Sequence, residues 1–351
     1  MSFKGKPKIS HPGLPRNELG LTARDYEGAV STLCAGCGHD SITAAIIQAV
    51  FELGLAPHKL AKMSGIGCSS KTPAYFVSQS HGFNSVHGRM ASVTTGANAA
   101  NHDLTYIGVS GDGDSLSIGM GQFAHVIRRN LDMCYLIENN GVYGLTKGQY
   151  SASADVGSTG KKGPANRQMP IDPVSTAIGL GATYIARSFS GDKGQLVPLI
   201  KGALVHKGFS LLDVISPCVT FNDHEGSTKS YSHTREHYQH VIDTDFIPPA
   251  DEIVAAYEAG DTMPVKLHDG SQIVFRRVNR EYDPTSRAAA FSFLRDSVNA
   301  GEIITGLLYI DEEAGDMHDL SGSVEQPLSQ IQYQDLNPGK DKLAKLMDRY
   351  R

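Results

Sequence analysis

The 351-residue chain is 40% apolar and has no low-complexity run, which suits one large globular core or two modest ones. Its formal charge is -5 and its Lys and Arg are scattered, which excludes the basic footprint of a nucleic-acid or anionic-membrane binder but leaves room for a local anion site. No stretch approaches the roughly 20 apolar residues of a membrane span, and "MSFKGKPKISHPGLPRNELG" lacks the apolar segment of a signal peptide, so a cytoplasmic protein is expected.

The amino-terminal arm, residues 1–27, carries no clear periodicity. From about residue 43, "TAAIIQAVFELGL" has apolar residues at helical spacing, and "SGIGCSSKTP" then breaks the pattern with Gly65, Gly67 and Pro73. "RMASVTTGANAAN" reads as a small-residue helix and "LTYIGVS" as a buried strand. "GDGDSLSIGMGQFAHVIRRN" is a glycine turn opening into an amphipathic helix, and "MCYLIE" is the next buried strand. "PVSTAIGLGA", "YIARS", "QLVPLIKGALVHKG" and "FSLLDVI" continue the alternation of helix and strand to residue 215. Such alternation predicts an α/β fold, a mostly parallel sheet with helices on both faces. Residues 147–170 are polar and glycine-rich and read as a long surface loop. Beyond about 240 the pattern weakens to a helix, a strand and a polar end with a terminal helix, so the boundaries expected are 1–27, a domain over 28–240 and a C-terminal extension over 241–351.

The chemistry gathers in glycine-rich stretches. In "VSGDGDSLS", Asp112 and Asp114 lie in a turn at the carboxyl end of the strand over 104–110, the edge where open parallel sheets bind ligands. Glycines let the backbone approach a phosphate, and the following helix offers unpaired N–H groups. Carboxylates there would repel a phosphate unless a divalent cation lay between, which points to a magnesium-bridged diphosphate. One strand-helix-strand unit later, "LIENNGVYG" brings Asn139 and Asn140 to the neighbouring strand end. The five cysteines, at 34, 37, 68, 134 and 218, are an odd count in a long chain, which argues for metal or catalytic use of some of them rather than a disulfide framework. The Cys34/Cys37 spacing fits zinc as well as iron. Cys134, inside an apolar strand, reads as core.

Gly-Asp-Gly followed by a helix, a strand and Asn-Asn resembles the thiamine-diphosphate-binding fold. Together with "LCAGCGHD", "GIGCSSKTP", "HGRMASVTTGANAAN" and "GLTKGQ", in that order over about residues 28–235, the chain resembles the beta subunit of 2-oxoacid:ferredoxin oxidoreductases, nearest to the 2-oxoglutarate type. The resemblance implies that Cys34, Cys37, Cys68 and Cys218 hold one 4Fe-4S cluster. It implies that Asp112, the side chain of Asn140 and the carbonyl of Val142 bind Mg2+. Thiamine diphosphate would be contacted by Ile66, Gly67, Cys68, Ser69, Gly113, Asp114, Gly144 and Leu145, with Ile66 under the folded cofactor. Lys71 would meet a substrate carboxylate.

The reaction so implied is coenzyme A-dependent oxidative decarboxylation of 2-oxoglutarate to succinyl-CoA and CO2, or the reverse carboxylation, with electrons passing through the cluster to ferredoxin. Pyruvate or another 2-oxoacid is the alternative substrate. The chain shows only the diphosphate half of a thiamine site, so an alpha subunit is expected to supply the other half, and the chain alone should be inactive. Two rivals come from other classes: a non-redox thiamine enzyme, which has no use for four loop cysteines, and a zinc-stapled non-catalytic subunit, which has no use for the Asp112/Asn140 pair.

Overall fold

The computed structural model describes residues 11–159, 164–240, 242–247, 262–266, 272–277 and 282–350. After a short 3-10 turn at Ala23–Tyr26 come helix α1 (Gly38–Glu52) and strand β1 (Leu60–Ser64), then a 3-10 segment at Ser69–Ala74. Strand β2 (His81–Asn84), α2 (Met90–Ala100), β3 (Thr105–Gly111), a π-helical turn (Gly113–Ile118), α3 (Met120–Arg128) and β4 (Met133–Asn139) follow. A two-stranded ribbon, β5 (Val142–Tyr143) and β6 (Gln149–Tyr150), leads through a long loop to α4 (Pro173–Leu180), β7 (Tyr184–Phe189), α5 (Lys193–Val205) and β8 (Phe209–Ile215).

Next come α6 (Tyr231–His237), β9 (Tyr238–His240), β10 (Ile242–Ile247), β11 (Thr262–Lys266) and β12 (Gln272–Arg277), the last three forming a small antiparallel sheet. The chain ends with α7 (Arg287–Ala300), β13 (Ile303–Ile310), α8 (Met317–Ser321), α9 (Tyr333–Leu336) and α10 (Gly339–Asp348). Among the described residues no helix is long and apolar enough to cross a membrane.

The main sheet runs β2-β1-β3-β4-β8-β7-β13-β9 and is parallel from β2 to β7. Every residue of β4, β7 and β8 is buried, as expected of central parallel strands covered on both faces. Ile107, Val109, Leu136, Leu211 and Leu212 anchor the core; each such side chain contributes about 1.5–3 kcal/mol on leaving water. Helices α1 and α5 pack together, while α2, α3, α4 and α7 form a second row. Local chemistry sets the ends: Asp172 caps α4 by accepting from the N–H groups of Val174 and Ser175 at 3.3 Å, and Gly181 closes it in the left-handed conformation. Strand β13, past residue 240, pairs antiparallel with β7.

Two features depart from the sequence reading. Strand β1 escapes notice because Lys62 sits in its middle, yet Lys62 is buried, with Nζ donating to the carbonyls of Phe76 (2.7 Å) and Val77 (2.9 Å), so its polar head is satisfied inside. The loop over 147–170 is not wholly a surface loop: Ser151, Ser153 and Ala154 are buried against the end of β3.

Candidate functional site

The carboxyl ends of β1, β3 and β4 meet at one edge of the sheet, where three turns crowd together. Gly65 follows β1 so closely beside β3 that a Cβ there would stand 2.2 Å from Asp114 Oδ2 and 2.3 Å from Ser110 Oγ, so only glycine fits. Asp114 is held at both oxygens, by the Gly88 N–H at 2.8 Å and the Ser110 hydroxyl at 2.9 Å.

Asp112 is 1% exposed and differently held. Its Oδ2 accepts from the Gly141 N–H (3.2 Å) and from the hydroxyls of Ser151 and Ser153, whereas its Oδ1 has a long contact, 3.4 Å, with the Asn140 N–H. Oδ1 is therefore the less committed oxygen. Ser153 Oγ also lies 2.9 Å from Asn139 Oδ1, and Asn139 Nδ2 donates to Asp213 Oδ1 at 2.9 Å. Asp213 and Asp172 flank the buried Arg187, with Arg187 Nε donating to Asp213 Oδ2 at 2.8 Å. The single hydroxyl proton of Ser153 is thus shared between Asp112 and Asn139, and the Asn139 amide ties this edge to the ion triad centred on Arg187 of β7. The side chain of Asn140 accepts from the Val142 N–H at 3.0 Å, and its turn relies on Gly141 at φ +73°. A carboxylate, an amide oxygen and a carbonyl are hard oxygen donors of the kind magnesium takes.

A cavity opens over these turns. It is lined by Ile66, Gly67, Cys68, Ser69, Gly113, Asp114 and Gly144, together with Asp112, Asn140 and Val142, all named from the sequence. His39, Gly111 and Tyr143 complete it. Leu145 lies outside this lining and is half exposed. The Ser69 hydroxyl is buried in the wall and has no hydrogen-bond partner among the described residues. An unsatisfied buried hydroxyl is costly, and a bound diphosphate oxygen is the kind of group that would satisfy it. The set therefore fits a magnesium-bridged diphosphate.

Cys68 lines this cavity, and the loops of three more cysteines lie around it. A Cβ on Gly144 would stand 3.4 Å from Cys68 Sγ and 3.7 Å from Cys218 Sγ, so both thiols converge on the Gly144 backbone. Cys34 and Cys37 share one turn, closed by the Cys37 N–H donating to the Cys34 carbonyl at 3.0 Å. That turn rests on the end of β8 through Gly38, whose N–H donates to the Pro217 carbonyl at 3.4 Å, and on α6 through the Tyr231 hydroxyl, which donates to the Gly36 carbonyl at 3.0 Å. The Cys34 and Cys68 charges both act on Cys218 or are acted on by it, which brings the loops into one electrostatic neighbourhood. Burial pushes the Cys37 thiol up to about 12, with Glu138 and Cys218 adding to the effect, and raises Cys68 and Cys218 as well.

Among the described residues no three His, Cys, Asp or Glu side chains stand close enough to share one metal ion. Four thiolates around an iron-sulfur cubane stand wider apart, and the thiol chemistry fits such a cluster. Cys134 is buried in β4, within the core.

Lys71, three residues past Cys68, donates its backbone N–H to the Cys68 carbonyl at 3.1 Å. Its charge favours the Cys68 thiolate, and among the described residues no carboxylate pairs with it. Behind the cavity, Glu138 is fully buried and accepts from the Thr72 hydroxyl at 2.9 Å, while His39 Nδ1 lies 3.6 Å from Glu138 and 2.6 Å from Ser216 Oγ. Burial holds His39 down at about 4 and lifts Glu138 well above the usual carboxylate range. Sequence reasoning missed His39, Ser151, Ser153 and Asn222. His39 alone carried a signal, its place two residues after Cys37.

Residues 65–214 match the C-terminal TPP-binding domain of thiamine pyrophosphate enzymes. Over 230 residues the chain is 41% identical to a 2-oxoacid:ferredoxin oxidoreductase subunit beta of Saccharolobus solfataricus, covering 65% of this chain and 73% of that one. It is 41% identical over 213 residues to the 2-oxoglutarate oxidoreductase subunit KorB of Mycobacterium tuberculosis, covering 60% of this chain and 57% of the relative. A solved 2-oxoglutarate:ferredoxin oxidoreductase from Magnetococcus marinus, with 2-oxoglutarate, coenzyme A and succinyl-CoA bound, superimposes with a TM-score of 0.72 at 30% identity, covering 93% of this chain and 96% of that chain. The order of glycine turns, carboxylate, asparagine and loop cysteines thus has a family to account for it: the chain belongs to the beta subunits of the 2-oxoacid:ferredoxin oxidoreductases.

Proposed function

We propose that this beta subunit works with an alpha subunit in the coenzyme A-dependent oxidative decarboxylation of 2-oxoglutarate to succinyl-CoA and CO2, delivering two electrons one at a time to ferredoxin. The observation that carries the redox part is the double position of Cys68, which lines the diphosphate cavity while its sulfur converges with that of Cys218 on Gly144. A one-electron carrier held there would stand beside the reaction centre. That is where a redox centre is useful and a structural zinc is not.

In this reading Asp112, Asn140 and Val142 hold Mg2+, and Cys34, Cys37, Cys68 and Cys218 hold a 4Fe-4S cluster. Bound thiamine diphosphate supplies the electron sink for decarboxylation. Ser151 and Ser153 fix the Asp112 carboxylate so that Oδ1 faces the cation. Ile66 offers an apolar side chain at the cavity wall, and the Ser69 hydroxyl donates to a diphosphate oxygen. Lys71 receives the distal carboxylate of the substrate as a charge-assisted hydrogen bond. The names of the Mycobacterium tuberculosis relative and of the Magnetococcus marinus structure support 2-oxoglutarate over pyruvate as the substrate.

The test is reconstitution with the alpha subunit under anaerobic conditions. A brown complex that releases thiamine diphosphate on denaturation and reduces ferredoxin with 2-oxoglutarate and coenzyme A is the expected result. A complex that decarboxylates without reducing ferredoxin would overturn the redox reading, and one that prefers pyruvate would overturn the substrate.

A further inference from the structure

Thr220 lies two residues past Cys218 on the exposed side of that turn. Its hydroxyl donates to Cys34 Sγ at 3.5 Å, across to a loop that is remote in sequence. Thr220 thus links the turn of one thiol to the sulfur of another. The turn is anchored for this task, since the N–H groups of Phe221 and Asn222 donate to the Cys218 carbonyl, at 3.1 and 2.9 Å.

A donor on a thiolate sulfur withdraws electron density and stabilises the more negative, reduced state of the iron-sulfur centre, which raises its potential. Resting on the cluster reading above, we propose that the Thr220 hydroxyl is a potential-setting group for the centre held by Cys34 and Cys218. It is a positioning and tuning residue that touches neither substrate nor thiamine diphosphate. Thr220 would favour the reduced state of a bound centre, whose electron would come from oxidation of the 2-oxoacid, and no bond to Thr220 is made or broken.

The test is a potentiometric titration of the reduced-cluster EPR signal in the anaerobic alpha-beta complex, comparing the parent with Thr220→Val, Thr220→Ala and Thr220→Ser. Valine and alanine are expected to lower the midpoint potential, by about 59 mV for a tenfold change in a one-electron equilibrium. Serine, which keeps the hydroxyl, should stay at the parent value. An unmoved potential in the valine and alanine variants, a serine shift as large as that of valine, or loss of iron in the valine variant would each overturn the proposal. The iron content of the parent separates this from failure of the cluster reading: about four iron atoms per chain are needed for a 4Fe-4S centre, and a parent without them sinks both.

Discussion

Asn222 Nδ2 donates to the carbonyl of Asn140 at 2.8 Å, while the Asn222 N–H donates to the carbonyl of Cys218 at 2.9 Å. One buried side chain thus ties the turn of the fourth cysteine to the turn that carries the proposed magnesium ligand. Asn222→Ala leaves the Asn140 carbonyl without this partner, a loss of about 1–3 kcal/mol for a buried group. We expect thiamine diphosphate affinity, measured by calorimetry in the presence of Mg2+, to fall by about tenfold on that scale. Iron content should remain that of the parent. Unchanged affinity would mean that the two turns are held independently.

The Asp112 carboxylate makes a second test of the same edge. Asp112→Asn removes the anionic ligand that holds the Mg2+ bridging to the diphosphate, so cofactor binding should be sharply weakened with the cluster intact. Ser151→Ala with Ser153→Ala leaves the charge and the Gly141 N–H but loosens Oδ2, so a smaller loss is expected, about tenfold, the carboxylate losing its orientation and not its charge. If the double variant binds as tightly as the parent, the serines do not orient the carboxylate.

These residues also mark how far the sequence could be read. Asp112 and Asn140 were legible because glycine turns at the ends of two apolar strands have few other uses, and the alternation from β3 to β8 was written in runs of buried side chains. Ser151, Ser153, Asn222 and Thr220 were not legible. Each acts by a hydrogen bond across loops distant in sequence, and a lone serine or asparagine in a polar loop has no spacing that reveals its partner. Strand β1 was hidden for the opposite reason: the charge of Lys62 reads as surface until the two carbonyls that accept from it are seen.

The cysteines divide four to one. Cys34→Ser, Cys37→Ser, Cys68→Ser and Cys218→Ser should each lose iron, because a hydroxyl is a hard ligand poorly matched to an iron-sulfur centre. Cys134→Ser, in the core of β4, should keep it at some cost in stability. Iron quantitation on the five purified variants decides the matter, and a full complement in Cys218→Ser would remove that residue from the ligand set.

Asp132 gives a pH dependence of known sign. Burial, together with the nearby Asp316, raises its carboxyl from an ordinary 3.8 to about 7. Between those values the folded chain holds a proton that the unfolded chain has released, so stability falls as pH rises through this window, by about 4 kcal/mol in all. Below it both states are protonated, and above it both are ionised. Asp132→Asn should flatten this component and stabilise the protein at pH 8 relative to the parent in urea unfolding. An identical difference between the two at pH 4 and pH 8 would show that Asp132 titrates normally.

Substrate choice turns on Lys71. A distal carboxylate of 2-oxoglutarate must leave water on entering the site, and a charge-assisted hydrogen bond to an ammonium is worth about 1.5–3 kcal/mol. Lys71 lies outside the cavity's lining and has no carboxylate partner among the described residues, and its backbone is fixed to the Cys68 turn by the 3.1 Å hydrogen bond. Lys71→Met preserves the length of the side chain and removes the charge. In the reconstituted alpha-beta enzyme it should raise the Michaelis constant for 2-oxoglutarate by about ten- to a hundredfold on that energy scale, while pyruvate, which lacks a distal carboxylate, changes far less. Equal losses for both substrates would place Lys71 on the shared carboxylate or on the cofactor. No loss for either would leave Lys71 a solvated lysine and move the discrimination to the alpha subunit.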